Sequence, residues 1–150
     1  MGLKSARVPQ MENNSIYPIK KIALDFPKKE KLKDKKQFEQ LFIEGKSINE
    51  FPVRLLYTKT HFDDATPIKA AVVAPKKKFK GAIQRNKVKR LLREAYRHNK
   101  HLVFNSMEGN YAFLFLYLSN RMPNYKEVDV AVKQLLKAFI KKESHEKIDT

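Results

Sequence analysis

Hydrophobic positions recur along the chain in two rhythms, one typical of helices and one typical of strands. Between about residues 34 and 44, apolar side chains recur at intervals of three and four, which predicts an amphipathic helix. They are Phe38, Leu41 and Phe42. Asp34 is the predicted N-cap, with Gln37 three residues on as in a capping box. Gly45 is expected to end the helix in the left-handed conformation.

Three later segments have the composition of strands. In residues 51–59, apolar side chains at 53, 55 and 57 alternate with Arg54, Leu56 and Thr58, and a polar turn at 61–67 follows. Residues 68–74 are small and apolar on both sides, which predicts a central place in a sheet. Residues 111–118 are also apolar on both faces, so both faces are expected to be covered. Pairing of the second strand should stop at Pro75, which has no N–H to donate.

Two further helices are predicted, at about 82–100 and from Asn124 onward. Asn124 and Glu127 have the spacing of a capping box. The last helix has one apolar stripe, and the tail after Lys141 is expected to fray. The stripe consists of Val128, Val132, Leu135, Leu136 and Phe139. The predicted order is therefore α-β-β-α-β-α, in one domain without internal repeats.

Composition points to a polyanionic partner. The 150 residues include 32 Lys and Arg against 16 Asp and Glu, a formal net charge of +16. Such a surface attracts nucleic acid first and an anionic membrane second. The chain has no cysteine, which excludes disulfides, and no apolar stretch long enough to span a membrane. Residues 1–27 lack periodicity and are expected to form a flexible basic extension of a cytoplasmic protein.

The helix at 82–100 concentrates this charge on one side. On a helical wheel, Val88, Leu92 and Tyr96 fall on the side that should be buried, with Leu91 and Ala95. Opposite them, a polar stripe runs through Asn86, Arg90, Arg93 and Arg97. Lys87 and Lys89 flank this stripe, Arg85 lies near its edge, and Lys76, Lys77, Lys78 and Lys80 precede the helix.

This segment also lacks the acidic partners that a solvated helix usually has. From residue 76 to residue 101 there are eleven Lys and Arg, and Glu94 is the one acid. Like-charge neighbours weaken a helix, whereas a polyphosphate would reverse that penalty by releasing its counterions. The free N–H groups at the helix start add a seat for phosphate. The alternative is a basic amphipathic helix that is merely solvated or lies on a membrane.

The same residues resemble a known family. The run Arg-Asn-Lys-Val-Lys-Arg-Leu-Leu-Arg-Glu at 85–94, with Val-Ala-Pro-Lys-Lys-Lys-Phe-Lys at 73–80, is similar to the signature of the ribonuclease P protein family. Glu30-Lys31-Leu32, followed by Phe38, Phe42 and Gly45, resembles the family's opening helix. The resemblance covers about residues 26–142, and implies a family domain at 28–142 with a frayed tail at 143–150.

The resemblance implies a fold, partners and site residues. The implied fold is α+β, an α/β sandwich of the ribosomal protein S5 domain 2-like type, with a left-handed β-α-β crossover where the general rule predicts a right-handed one. The implied partners are a catalytic RNA that uses Mg²⁺ and precursor tRNA, whose 5′ end it matures; no membrane or small-molecule substrate is expected. By resemblance, the catalytic RNA is contacted by Arg85, Asn86, Lys87, Lys89, Arg90 and Arg93. Phe38, Phe42 and Tyr57 would line a cleft for the 5′ leader.

Other interpretations stay open at this point. Phe38, Phe42 and Tyr57 could be ordinary core residues. The same basic scaffold would suit a ribosomal-type RNA-binding protein or an RNA chaperone without a processing role. A self-sufficient nuclease is disfavoured, because no paired carboxylates and no Ser–His–Asp set can be identified in the sequence.

Overall fold

A computed structural model describes residues 26–104 and 106–149, so the predicted extension at 1–27 lies almost wholly outside the described residues. A short 3₁₀ turn, Lys28–Glu30, comes first. The helices are α1 (Lys35–Glu44), α2 (Ala82–Asn99), α3 (His101–Phe104) and α4 (Tyr125–Asp149). The strands are β1 (Lys46–Glu50), β2 (Val53–Thr60), β3 (Ile68–Val73) and β4 (Asn110–Tyr117). The mixed α+β class and the three predicted strands are confirmed.

One strand was missed. β1 lies directly after α1 and pairs antiparallel with β2, for example Ile48 with Leu55. The described order is therefore α-β-β-β-α-α-β-α rather than α-β-β-α-β-α. β1 contains one buried residue, Ile48, among polar and charged neighbours. A short edge strand needs little apolar surface, so hydrophobic patterning gave no signal for it.

The sheet order is β1-β2-β4-β3. β4 is central and pairs antiparallel with β2 and parallel with β3. β3 is thus an edge strand, and the prediction of a central position for residues 68–74 was wrong. Lys31 forms an isolated bridge with Ala70 on its outer edge, and Leu32 N–H donates to the Ala70 carbonyl at 2.9 Å. Both faces of β3 contact other side chains, which explains its apolar sequence. An apolar sequence on both faces does not show, however, whether a strand is paired with a neighbour along each of its two edges.

Helices pack on both faces of the sheet. On one face, α2 and α4 enclose the larger core, which includes Tyr57, Phe113 and Phe139. On the other face, α1 covers a smaller cluster that includes Leu41 and Leu114. Because side chains alternate across a strand, neighbouring residues of β2 and β4 belong to different cores. This alternation decides which residues of the sheet can contribute to the surface on each face.

The predicted helix caps are present, and one predicted terminus differs. The Asp34 carboxylate accepts from Lys36 N–H at 2.9 Å, and the Asn124 side chain accepts from Glu127 N–H at 2.8 Å. Gly45, however, has φ −66°, so it is not left-handed as predicted. A Cβ at Gly45 would overlap the carbonyl oxygen of Leu41, which explains the glycine by close approach rather than by backbone conformation.

α4 extends farther than the pattern suggested. It runs to Asp149, through most of the segment 143–150 that was expected to fray. Within the part of the chain that the structure describes, none of these helices combines the length and the apolar character needed to cross a bilayer.

Candidate nucleic-acid interface

The orientation of α2 is fixed by its buried side. Val88, Leu92, Ala95 and Tyr96 are each 0% exposed, which confirms the predicted buried face. Burying this side turns the opposite side of the helix to solvent. Asn86, Lys87, Arg90 and Arg93 are all exposed there. The two arginines and Lys87 therefore present their charges outward without competing for the core.

The polar stripe is interrupted at its C-terminal end. Arg97 is half-buried, and its Nη2 lies 2.6 Å from Glu94 Oε1. The hydrogen bond from Arg97 lowers the pKa of Glu94, so this carboxylate is ionised at neutral pH. The prediction of a one-signed stripe up to Arg97 was therefore too long. Among the residues that the structure describes, the part of the stripe without a carboxylate partner ends at Arg93.

The four lysines before α2 lie on a turn that is anchored to the core. Lys76, Lys77, Lys78 and Lys80 are exposed, whereas Phe79 is 5% exposed and packs near the Tyr117 ring at 5.9 Å. The Pro75 carbonyl accepts from Lys78 N–H at 3.0 Å and from Phe79 N–H at 3.3 Å. One buried aromatic ring thus holds this lysine turn (residues 75–80) in place. The number of lysines in the sequence did not reveal that Phe79 anchors this turn.

Arg85 links the lysine turn to α2. Its Nη1 donates to the carbonyl oxygens of Phe79 and Lys80, at 2.9 and 2.8 Å. The resemblance implied that Arg85 contacts RNA, but at least this nitrogen is engaged within the protein. Arg85 and Lys89 are both partly buried, unlike Arg90 and Arg93. Arg85 therefore positions the lysines, because its hydrogen bonds fix the chain between them and the helix.

The start of α2 has no acid and no side-chain cap. Gly81 is the N-cap, makes no side-chain hydrogen bond, and is followed by a first turn without Asp or Glu. The unsatisfied N–H groups of a helix start carry partial positive charge. Here they lie next to Lys80 and the lysine turn. The lysine turn, the helix start and the outward side of α2 together form a cationic surface, which we call the basic face.

The structure separates the three aromatic residues assigned to a leader cleft. Phe38 is half-buried and Phe42 is 64% exposed, both on α1. Tyr57 is 1% exposed and lies on the opposite face of the sheet, where its ring makes an edge contact with Phe139 at 4.9 Å. Tyr57 is therefore wrong as a cleft residue. Leu56, the adjacent residue of β2, packs on the α1 side instead.

The described residues contain no group of three or more His, Asp or Glu side chains arranged to hold a metal ion. His98 and His101, which are three residues apart, both line a cleft between α2 and α4. What the arrangement offers chemically is a fixed array of cations on one side of the protein.

Comparison with known proteins identifies relatives of this chain. Residues 26–140 match the protein family described as Ribonuclease P. The ribonuclease P protein component of Porphyromonas gingivalis is 35% identical over 112 residues, which span 73% of this chain and 82% of that protein. The component from Borrelia turicatae is 30% identical over 112 residues, spanning 74% and 92% of the two chains.

Solved structures show the same fold. The RNase P protein from Thermotoga maritima superposes with a TM-score of 0.59 and 24% identity, over 73% of this chain and 96% of that one. The Staphylococcus aureus RNase P protein gives a TM-score of 0.56 and 17% identity, over 73% and 94%. With the family match spanning residues 26–140, this chain belongs to the ribonuclease P protein family and is the protein subunit of a bacterial ribonuclease P.

Proposed function

We propose that the subunit binds the ribonuclease P RNA through the basic face and thereby promotes 5′-end maturation of precursor tRNA. The observation that carries the proposal is the outward orientation of Lys87, Arg90 and Arg93, which follows from burial of the other side of α2. Arginine suits this role because its planar guanidinium can hold two phosphate oxygens at once. Lys76, Lys77, Lys78 and Lys80 extend the same surface.

The energetic argument rests on counterion release. Each phosphate that the protein neutralises frees a condensed counterion, so log K falls with log salt with a slope of about −0.7 to −0.9 per contact. Cations without a carboxylate partner contribute fully to this slope. Arg90 and Arg93 meet that condition among the described residues, whereas Arg97 must share its charge with Glu94.

For the 5′ leader of precursor tRNA, we propose the surface beside α1. Phe42 is largely exposed, and Phe38 lies one turn before it on the same helix. An exposed ring can stack on an unpaired base, which contributes about 1–3 kcal/mol. Leu56 takes the place of Tyr57 as the β2 residue on this side of the sheet. A single-stranded leader would thus lie against apolar side chains rather than along the basic face.

We assign the cleavage chemistry to the RNA. Mg²⁺ would supply the charge that activates water and stabilises the leaving oxygen, held by RNA phosphates rather than by this chain. The protein's part is to neutralise phosphate and to hold the substrate, in the cytoplasm, where precursor tRNA is made.

Single-turnover cleavage of precursor tRNA tests the proposal. Cleavage should be measured at low Mg²⁺ with the RNA alone, with added protein, and with the Arg90→Ala/Arg93→Ala variant. We expect the unaltered protein to accelerate cleavage, and we expect the variant to lose most of that acceleration. A Lys126→Ala/Lys141→Ala variant removes the same charge from exposed sites on α4 and should accelerate cleavage as the unaltered protein does. Equal rates with and without the protein would contradict the proposal.

A further inference from the structure

A second charged feature lies away from the basic face. A cleft of about 550 Å³ separates the C-terminal end of α2 from α4. It is lined by His98, Asn99, His101, Leu102, Tyr125, Asp129, Lys133 and Lys137. We call it the seam cleft. None of its residues belongs to the surface proposed above.

The floor of the seam cleft is built by buried hydrogen bonds. Asn99 is 4% exposed, and its Nδ2 donates to the Ala95 carbonyl and to Asp129 Oδ1, both at 2.8 Å. Asp129 Oδ1 also accepts from Tyr125 Oη at 3.4 Å. The Asp129 carboxylate on the floor of the cleft therefore accepts hydrogen bonds from two neutral groups of the protein itself.

One wall of the cleft is fixed by the same network. His98 Nε2 lies 3.2 Å from Arg97 Nη2, and a guanidinium can only donate, so Nε2 accepts. His98 Nδ1 then carries the proton and donates to Tyr125 Oη at 2.7 Å. The two rings also meet edge to face at 6.0 Å. A chain of hydrogen bonds thus runs from Arg97 through His98 and Tyr125 to Asp129.

The cations of the seam cleft are weakly paired. Lys133 Nζ is 3.9 Å from Asp129 Oδ2, at the limit of an ion pair. Neither Lys137 nor His101 has an ion-pair partner among residues 26–104 and 106–144, and both are exposed. Lys133 and Lys137 are one helical turn apart on α4, so both reach the same space. Two lysines against one aspartate leave the cleft net positive.

We propose that the seam cleft is a second phosphate-binding site for the ribonuclease P RNA, with Lys133 and Lys137 as its ligands. This inference rests on the RNA binding proposed above. The cleft adjoins the end of the α2 stripe, because His98 directly follows Arg97. The Glu94–Arg97 ion pair lies between the two, so the backbone of the RNA is contacted in two places rather than along one unbroken track.

Salt dependence of RNA binding tests this site. Affinity of the full chain for the ribonuclease P RNA should be measured between 50 and 300 mM salt for Lys133→Ala/Lys137→Ala. Two lost phosphate contacts should flatten the slope of log K against log salt by about 1.4–1.8. The matched control is Lys126→Ala/Lys141→Ala, which removes two exposed lysines of α4 outside the seam cleft. Circular dichroism verifies that both variants keep the fold.

The outcomes separate this inference from the proposed function. A flattened slope in the seam variant with a small change in the control supports the second site. Equal flattening in both variants means that only net charge matters, and overturns it. If the slope is unchanged in the seam variant but flattened in Arg90→Ala/Arg93→Ala, the second site is overturned and the proposed RNA-binding surface is retained. If none of the variants changes the slope, the proposed RNA-binding surface fails as well.

Discussion

Lys100 Nζ lies 2.7 Å from Glu30 Oε1 in the protein interior, where the two side chains are 1% and 9% exposed. The ammonium group also lies 5.3 Å from the centre of the Phe104 ring. Glu30 belongs to the 3₁₀ turn before α1, and Lys100 follows α2 directly. The pair therefore ties the chain that leads into α1 to the C-terminal end of α2.

Removing one partner of this pair should destabilise the fold. Lys100→Met leaves Glu30 buried without its cation, which costs about 3–5 kcal/mol in comparable proteins. The double variant Glu30→Leu/Lys100→Met removes both charges and should recover most of that loss. Urea denaturation measures the free energy of unfolding of all three proteins. If Lys100→Met is as stable as the unaltered chain, the ion pair does not hold the two segments together.

Arg85 should contribute to RNA binding more by holding the lysine turn in place than by its own charge. Arg85→Ala removes hydrogen bonds to the Phe79 and Lys80 carbonyls, and bonds from a charged donor contribute about 1.5–3 kcal/mol. We expect RNA affinity to fall further than in Lys87→Ala, which removes one exposed charge and none of these bonds. Hydrogen exchange at the Lys78 and Phe79 amides should also accelerate in Arg85→Ala only. Identical affinity and exchange in the two variants would refute the positioning role.

Neutralising Glu94 should strengthen RNA binding. Glu94→Gln removes the carboxylate that occupies Arg97, so the slope of log K against log salt should steepen by about 0.7–0.9. The stabilising effect of the ion pair between Glu94 and Arg97 also depends on pH. Since the folded-state pKa of Glu94 is lowered, its stabilising pairing is complete above the unfolded-state pKa and is lost as the pH falls through the folded-state value. Weaker binding by Glu94→Gln would show that the pair supports the interface instead.

The two aromatic positions should respond differently to substitution. Phe42→Ala should reduce the preference of the holoenzyme for precursor over mature tRNA while changing the free energy of unfolding by less than about 0.5 kcal/mol, as is usual for surface positions. Tyr57→Ala should cost about 3–5 kcal/mol of stability, because it empties a core position.

Tyr57→Phe provides the control, since it keeps the ring and should leave tRNA discrimination unchanged. Competitive cleavage of precursor tRNA in the presence of mature tRNA measures the preference. A loss of discrimination in Tyr57→Phe would return Tyr57 to the leader cleft, against its burial beside Phe139.

Much of the fold followed from periodicity. The helical wheel of α2 identified its buried side correctly, from Val88 to Tyr96, and the capping residues Asp34 and Asn124 are where the sequence places them. These are local features, in which neighbours along the chain decide the outcome. The outward cations Arg90 and Arg93 follow from the same wheel.

The features that were missed depend on contacts between distant segments. Leu56 and Tyr57 alternate in β2, but the sequence does not say which face α1 covers, so Tyr57 was placed on the wrong side. The edge position of β3 depends on strand pairing, not on its own composition. The seam cleft brings α2 and α3 residues such as His101 next to Lys137 of α4, a proximity that no spacing along the chain reveals.

The most direct test of RNA binding by the basic face is the salt dependence of RNA affinity for Arg90→Ala, with Lys126→Ala as the matched control. Loss of one phosphate contact should flatten the slope of log K against log salt by about 0.7–0.9, while the control stays close to the unaltered protein. An Arg90→Ala slope equal to that of the unaltered chain would contradict the assignment of the outward side of α2 to RNA.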